Sequence, residues 1–240
     1  MAEHWDGQQW SVTPSPSIGT YDFLLGVCAI SGNDAWAVGS SLSPVTKYIL
    51  MHWDGSAWSL VAGPPANGSS LNALKAFSSN DVWAVGGEHA AMFTIHWDGT
   101  AWSEIPTPNV SGGLLGVDGN ASYDLWAVGI TYKGLNSHPL AVHWDGAVWT
   151  VVRTPSMNDN TQLYAVAAVS RTRIIAVGQS AGVPLTAQWN GTRWDIIATP
   201  PVHDYSYLFG ISASNGSIWT VGREGVEGHE LIYTWMPRTD

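Results

Sequence analysis

Two short stretches of this chain combine aromatic rings with groups that accept or donate protons. One is Tyr21-Asp22-Phe23; the other is His203-Asp204-Tyr205-Ser206-Tyr207. Aromatic faces of this kind stack on sugars, and carboxylates, imidazoles and amides hydrogen-bond to hydroxyls. Tyr21, Asp22, Phe23, His203, Asp204, Tyr205 and Tyr207 are therefore the first candidates for contacts to a small-molecule or glycan ligand, joined by His89, His138 and His229. The same groups could move protons. Asp22, Asp204, His203, Glu88, Glu224 and Glu230 are the candidate acids and bases, as a hydrolase or lyase would need. Glycoside cleavage requires two carboxylates about 5 to 9.5 Å apart, a distance that sequence spacing leaves open.

Several chemistries are not expected. The histidines come from separate segments without metal-ligand spacing, so no metal site follows from them. HExxH, GxSxG and a Gly-rich phosphate loop are absent from the sequence, and no cofactor is expected. The net charge is −10 with nine Lys plus Arg, which argues against nucleic acid and against an anionic membrane surface. The single cysteine, Cys28, allows no internal disulfide. No apolar run approaches the ~20 residues of a membrane-spanning helix, so no membrane insertion is expected. The opening MAEHWDGQQW lacks the basic and apolar regions of a signal peptide. That leaves a cytoplasmic protein or a secreted one without its leader, and secretion is the favoured expectation. A monomer is expected.

The elements that must position these residues are written in a repeat. Trp-Asp-Gly begins at Trp5, Trp53, Trp97 and Trp144, with Trp-Asn-Gly at Trp189, in steps of 48, 44, 47 and 45 residues. Trp-Ala-Val-Gly begins at Trp36, Trp83 and Trp126 and degrades to Ile175-Ala-Val-Gly and Trp219-Thr-Val-Gly. The two motifs alternate along the whole chain. Each unit reads as four short strands, with Asp-Gly and Asn-Gly supplying the positive φ that tight hairpins need. A period in the mid-forties with four strands per period predicts an all-β, five-bladed β-propeller of four antiparallel strands per blade. A single domain over residues 1–240 is expected, with blades at about 22–61, 71–105, 114–152, 163–198 and 207–236. Residues 5–13 are expected to close the last blade by adding its fourth strand, which would remove an open sheet edge. A fragment of a larger ring, or an open array, is the rival architecture.

The repeat absorbs the tryptophans. All fifteen fall on second strands, at the ends of third strands or at the starts of fourth strands, and pairs such as Trp53 and Trp58 flank one hairpin turn. They read as framework, with a sugar-stacking role as the alternative. His4, His52, His96 and His143 precede the motif Trp, and Gln188 and Thr234 replace them in the other copies, a pattern that suits a framework hydrogen bond. Asp34, Asp81 and Asp124, and the Asp of each Trp-Asp-Gly, read as turn residues. On the first strands, Gly26, Ala73, Gly116, Ala165 and Gly210 form a column of small residues, as crowded backbones demand.

With these motifs the chain resembles the β-propeller superfamily over essentially its whole length, and its WAVG and HWDGxxW repeats look like those of bacterial kelch-like and WD-type propellers. In blade number it is similar to tachylectin-2-type lectins, whose own repeat motif is not present, so no sugar-binding residue is carried over. The resemblance implies that the fourth-to-first and second-to-third strand loops share one ligand face. The fourth-to-first loops differ between copies, and their aromatics fall in copies one and five, which become neighbours if the ring closes. The second-to-third loops add Lys47, Tyr48, Glu88, His89, Lys133, His138, Arg223, Glu224, His229 and Glu230. Three functions compete: a lectin-like carbohydrate-binding module, expected first; an enzyme with one axial pocket; and a protein-interaction scaffold. Fold does not choose among them.

Overall fold

Short apolar runs punctuated by Asp-Gly and Asn-Asp turns leave no segment long enough for a helix, and the described chain is built of strands. The computed structural model describes residues 2–42, 46–66, 69–88, 91–155, 159–199, 205–214, 216–225 and 229–235. It divides into two compact units, Met1–Glu88 with Phe93–Pro106 and His89–Met92 with Thr107–Asp240.

In the first unit, β1 (Ala2–Trp5) and β2 (Trp10–Thr13) form a hairpin. Two four-stranded antiparallel sheets follow: β3 (Asp22–Ser31), β4 (Asp34–Ser41), β5 (Lys47–Trp53) and β6 (Trp58–Leu60), then β7 (Leu71–Ser78), β8 (Asp81–Glu88), β9 (Ala91–Trp97) and β10 (Trp102–Glu104). The second unit holds β11 (Gly112–Ala121), β12 (Asp124–Lys133), β13 (Asn136–Trp144) and β14 (Trp149–Val151) in one sheet. The next contains β15 (Thr161–Ser170), β16 (Arg173–Ser180), β17 (Val183–Trp189) and β18 (Trp194–Ile197), and the last β19 (Tyr207–Ser214), β20 (Ser217–Glu224) and β21 (His229–Trp235). Each sheet runs in chain order, as the repeat predicts.

The motifs have physical reasons. In Trp53-Asp54-Gly55, Gly55 takes φ 94° and Asp54 Oδ1 accepts the N–H groups of Ser56 and Ala57 at 2.8 and 2.9 Å. The turn sets Trp53 opposite Trp58, with ring centroids 5.8 Å apart. The Gly of Trp-Ala-Val-Gly is forced by a close approach: a Cβ on Gly39 would collide with the Phe23 carbonyl, and one on Gly178 with that of Gln162. The small-residue column is explained as expected. A Cβ on Gly116 would lie 2.9 Å from Ala165 Cα, where adjacent first strands crowd.

The core lies between sheets. Trp36, 3% exposed, inserts between Trp97 and Trp102 of the next sheet, at 5.4 and 5.1 Å. Trp126 does the same between Trp189 and Trp194, at 5.0 and 5.5 Å. The framework histidines lie against the second-strand indoles, His52 on Trp36, His96 on Trp83 and His143 on Trp126, and bond to second-strand carboxylates: His52 to Asp34 at 2.9 Å, His96 to Asp81 at 2.9 Å and His143 to Asp124 at 2.8 Å. Asp34, Asp81 and Asp124 are thus cross-strand acceptors as well as turn residues.

The terminal strands depart from expectation. β2 pairs with β1, and among the described residues the sheet β19–β20–β21 has three strands. The reason is local. Asp6 Oδ1 accepts the N–H groups of Gln8 and Gln9 at 2.7 and 2.8 Å, and Gly7 takes φ 99°. A tight hairpin costs far less loop-closure entropy than a pairing across the length of the chain.

The histidine–carboxylate pairs should differ in worth. The side chain of Asp124 is 11% exposed against 24% for Asp81, and removing one partner of a buried pair costs about 1–3 kcal/mol. Urea denaturation of Asp124→Ala should show a loss in that range, and Asp81→Ala a smaller one.

Candidate functional site

Every first strand carries a bulge at one position. The register shifts between Leu24 and Gly26, Leu71 and Ala73, Leu114 and Gly116, Leu163 and Ala165, and Leu208 and Gly210. The extra residues are Leu25, Asn72, Leu115, Tyr164 and Phe209. A bulge frees its side chain from the strict alternation of the ladder. In the last two copies that residue is aromatic.

In the second unit these rings meet. Tyr207 stacks on Phe209 at 6.0 Å with the planes 10° apart, and Phe209 meets Tyr164 at 5.3 Å. The Arg223 guanidinium lies over the Tyr207 ring at 4.7 Å, set there because Tyr207 and Arg223 are cross-strand partners on β19 and β20. Phe209 is 48% exposed, Tyr207 and Tyr164 are half-buried, and Arg223 is exposed. The Tyr164 hydroxyl donates to Gln162 Oε1 at 2.7 Å. Burial pushes the Tyr164 phenol above its ordinary range, reinforced by the nearby Tyr207. Gln179 is fixed beneath, donating to the Asn160 carbonyl at 2.9 Å and accepting from the Gly182 N–H at 2.8 Å. The arrangement presents flat apolar faces edged by a guanidinium, a phenol and an amide. It can stack on and hydrogen-bond to a polar ligand.

The residues singled out in sequence divide between the units. Tyr205 and Tyr207 belong to the second; Tyr205 is 57% exposed at a left-handed φ of 62°. Tyr21 and Phe23 belong to the first and are 62% and 48% exposed. His138 stands 3.8 Å from Asp159, which also accepts from Asn136 at 2.7 Å. Glu224 ends β20, His229 and Glu230 begin β21, and Glu88 ends β8. His89, His203 and Asp204 lie outside the described residues. Sequence reasoning missed Tyr164 and Phe209 as site residues. The signal was present: the column two residues before the aligned Val27, Leu74, Val117, Val166 and Ile211 changes in every copy but the first and third.

Asp22 has a definite task. Its Oδ2 accepts from the Ser17 hydroxyl at 2.6 Å and from the N–H groups of Ile18 and Gly19 at 2.8 and 3.3 Å. The hydrogen bond from the Ser17 hydroxyl, with the nearby Ser41 side chain and then these amides, holds its pKa at about 2. A carboxylate so placed is ionised at neutral pH and tethers the loop.

No protein-family model matches the chain, and no curated protein matches it by sequence. Solved structures do match. YCF48 bound to a D1 peptide aligns with a TM-score of 0.61 at 16% identity, over 93% of this chain and 71% of that one. The Aleuria aurantia lectin, a six-bladed β-propeller that recognises fucose, aligns with a TM-score of 0.59 at 14% identity, over 88% and 75%. YCF48 from Cyanidioschyzon merolae aligns at 0.51 and 12% identity, over 80% and 62%. At these identities the likeness shows the fold alone, and that fold is the β-propeller.

The Asp22 cap has a pH signature. Its folded pKa is depressed, so its contribution is complete above about pH 4, the ordinary carboxylate value, and is lost as pH falls through about 2. The Ile18 amide proton should shift with a midpoint near that value in wild type and lose the transition in Asp22→Ala.

Proposed function

We propose that the protein is a ligand-binding propeller module whose ligand is carbohydrate, held on the aromatic ledge of its last two repeats. One observation carries the reading: Tyr207, Phe209 and Tyr164 form a continuous row of rings, partly open to solvent, with Arg223 at one end and Gln162 at the other. Such a row supplies stacking faces for sugar C–H groups, and its polar rim supplies donors and acceptors for hydroxyls. Strand-borne side chains hold a stacking geometry better than loop residues. The fucose-recognising lectin of like fold supports the same class of ligand. Tyr205, and in the first unit Tyr21 and Phe23, offer further exposed rings to ligands of this class.

A blade count of five belongs to the same proposal, supported by the five first strands and five second strands of the repeat. Peptide binding is the second reading, supported by the likeness to YCF48 bound to a peptide and by the guanidinium, which suits a carboxylate.

A glycan array probed with the intact protein tests the proposal. Binding to a defined sugar class is expected, with Tyr207→Ala and Arg223→Ala each weakening it by about tenfold or more, about 1.4 kcal/mol. A folded protein that binds no glycan would remove carbohydrate from the reading and leave peptide.

A further inference from the structure

The fourth repeat inverts the charge of its turns. Ser170 faces Arg173 across the turn from β15 to β16, as Ser31 faces Asp34, Ser78 faces Asp81 and Ala121 faces Asp124 in the earlier sheets. Trp189 faces Trp194 across the turn from β17 to β18, as Trp53 faces Trp58, Trp97 faces Trp102 and Trp144 faces Trp149. The registers align Arg171, Arg173, Asn190 and Arg193 with Gly32, Asp34, Asp54 and Ala57 of the first repeat. Their counterparts in the second are Ser79, Asp81, Asp98 and Ala101, and in the third Ser122, Asp124, Asp145 and Val148. Each of the first three repeats has two carboxylates and no cation at these positions. The fourth has three guanidiniums and no carboxylate. A chain of net charge −10 thus places a third of its nine Lys plus Arg at one pair of turns.

The two turns form one surface, since a Cβ on Gly191 would lie 3.1 Å from Thr172 Cγ2. Their guanidiniums are held. Arg171 lies over the Tyr123 ring at 5.4 Å, donates to the Tyr123 hydroxyl at 3.2 Å and brings Nε within 3.4 Å of Asp124 Oδ2. Arg193 Nε donates to Asp195 Oδ1 at 2.8 Å, and the Asn190 amide donates to Asp195 Oδ2 at 2.7 Å. Both arginine side chains stay open to solvent, 65% and 75% exposed. A guanidinium has five N–H donors, and these contacts do not exhaust them. Beside Arg171 lies a cavity of about 420 Å³, lined by Tyr123, Trp189 and Gly191 and also by Asp145 and His143.

We propose that this surface is a docking site for a short acidic segment of a partner protein, its carboxylates received by Arg171 and Arg193. Guanidiniums already set in place by Tyr123 and Asp195 form bidentate bonds to carboxylates with less ordering than mobile side chains need. The surrounding charge selects a short occupant. Asp145 lines the same cavity, and the Val148 and Ala147 amides hold its carboxyl below the ordinary range, so it is ionised at neutral pH. A long polyanion or an anionic membrane would meet Asp145 and the negative field of the whole chain. A segment with few carboxylates meets the guanidiniums at close range, and screening hides the rest. The site does not rest on the carbohydrate reading. Gln162 and Tyr164 of the ledge stand near the start of β15, and Arg171 follows its end.

The test follows the arginine Nε–H resonances of the full chain by NMR during titration with end-blocked tetraglutamate at low salt. Saturable shifts are expected at Arg171 and Arg193, diminished by added salt and absent with tetraglutamine. Arg171→Ser combined with Arg193→Ala installs residues that other repeats carry at the same positions, Ser79 and Ser122 for the first and Ala57 and Ala101 for the second. With the circular dichroism spectrum native, this variant should bind at least about tenfold more weakly, read from the Thr172 and Thr192 amides. Arg153→Ser removes an exposed charge outside these turns and should leave the affinity unchanged. Absence of saturable shifts in the folded protein overturns the proposal. So does full affinity in the double variant, an equal loss in Arg153→Ser, or equal binding of tetraglutamine. An oligonucleotide that binds these turns as tightly as the peptide overturns the acidic segment in favour of nucleic acid.

Discussion

The structure depends on one contact, an indole from the second strand of one sheet driven into the tryptophan hairpin of the next. It is made at a cost. The Nε1 atoms of Trp36, Trp102, Trp126 and Trp194 are buried without a hydrogen-bond partner, and an unmade bond of this kind costs about 1–3 kcal/mol. Burying an aromatic ring removes about 150–250 Å² from water, about 4–6 kcal/mol as an upper estimate at ~25 cal/mol/Å². Burial wins, and the sheets adhere through apolar rings with few charges between them. Only 12% of the chain is charged, as such an interior allows.

The partners in this joint change together. Where the donor is Trp36 or Trp126, the receiving sheet offers both hairpin tryptophans. In the fourth repeat the donor position holds Ile175, and the sheet that follows has three strands among the described residues. Val177, Leu208 and Ile211 join those two sheets with smaller side chains. The histidine–carboxylate clamp is absent with the indole in the fourth repeat, where Asp124 and His143 become Arg173 and Gln188; the fifth keeps the indole as Trp219 but carries Ser217 and Thr234.

Most of the fold was legible in the sequence because its determinants are local. Trp-Asp-Gly and Trp-Ala-Val-Gly state where a hairpin turns and where two backbones must touch, and both can be read within a few residues. The role of the tryptophans was legible for the same reason, since a residue recurring at one repeat position answers a recurring need. The N-terminal hairpin follows the same local logic, the Asp6-Gly7 turn pairing β2 with β1. The tether at Asp22 was not legible, since the serine and amides that bind its carboxylate are visible only in three dimensions.

Tyr164 and Phe209 of the aromatic ledge were missed because they sit within strands, where variation is usually attributed to packing. The bulge changes that. At the position just before it the ladder and the neighbouring sheets dictate the side chain, as the column Leu24, Leu71, Leu114, Leu163 and Leu208 shows. At the bulge the extra residue is bound by neither, and the copies diverge to Leu25, Asn72, Leu115, Tyr164 and Phe209. The backbone there is nonetheless pinned on both sides, by the ladder to the second strand and by the collision that forbids a Cβ on the facing glycine. A position free in identity and fixed in place is where a repeat scaffold can acquire a specific binding surface without disturbing its joints.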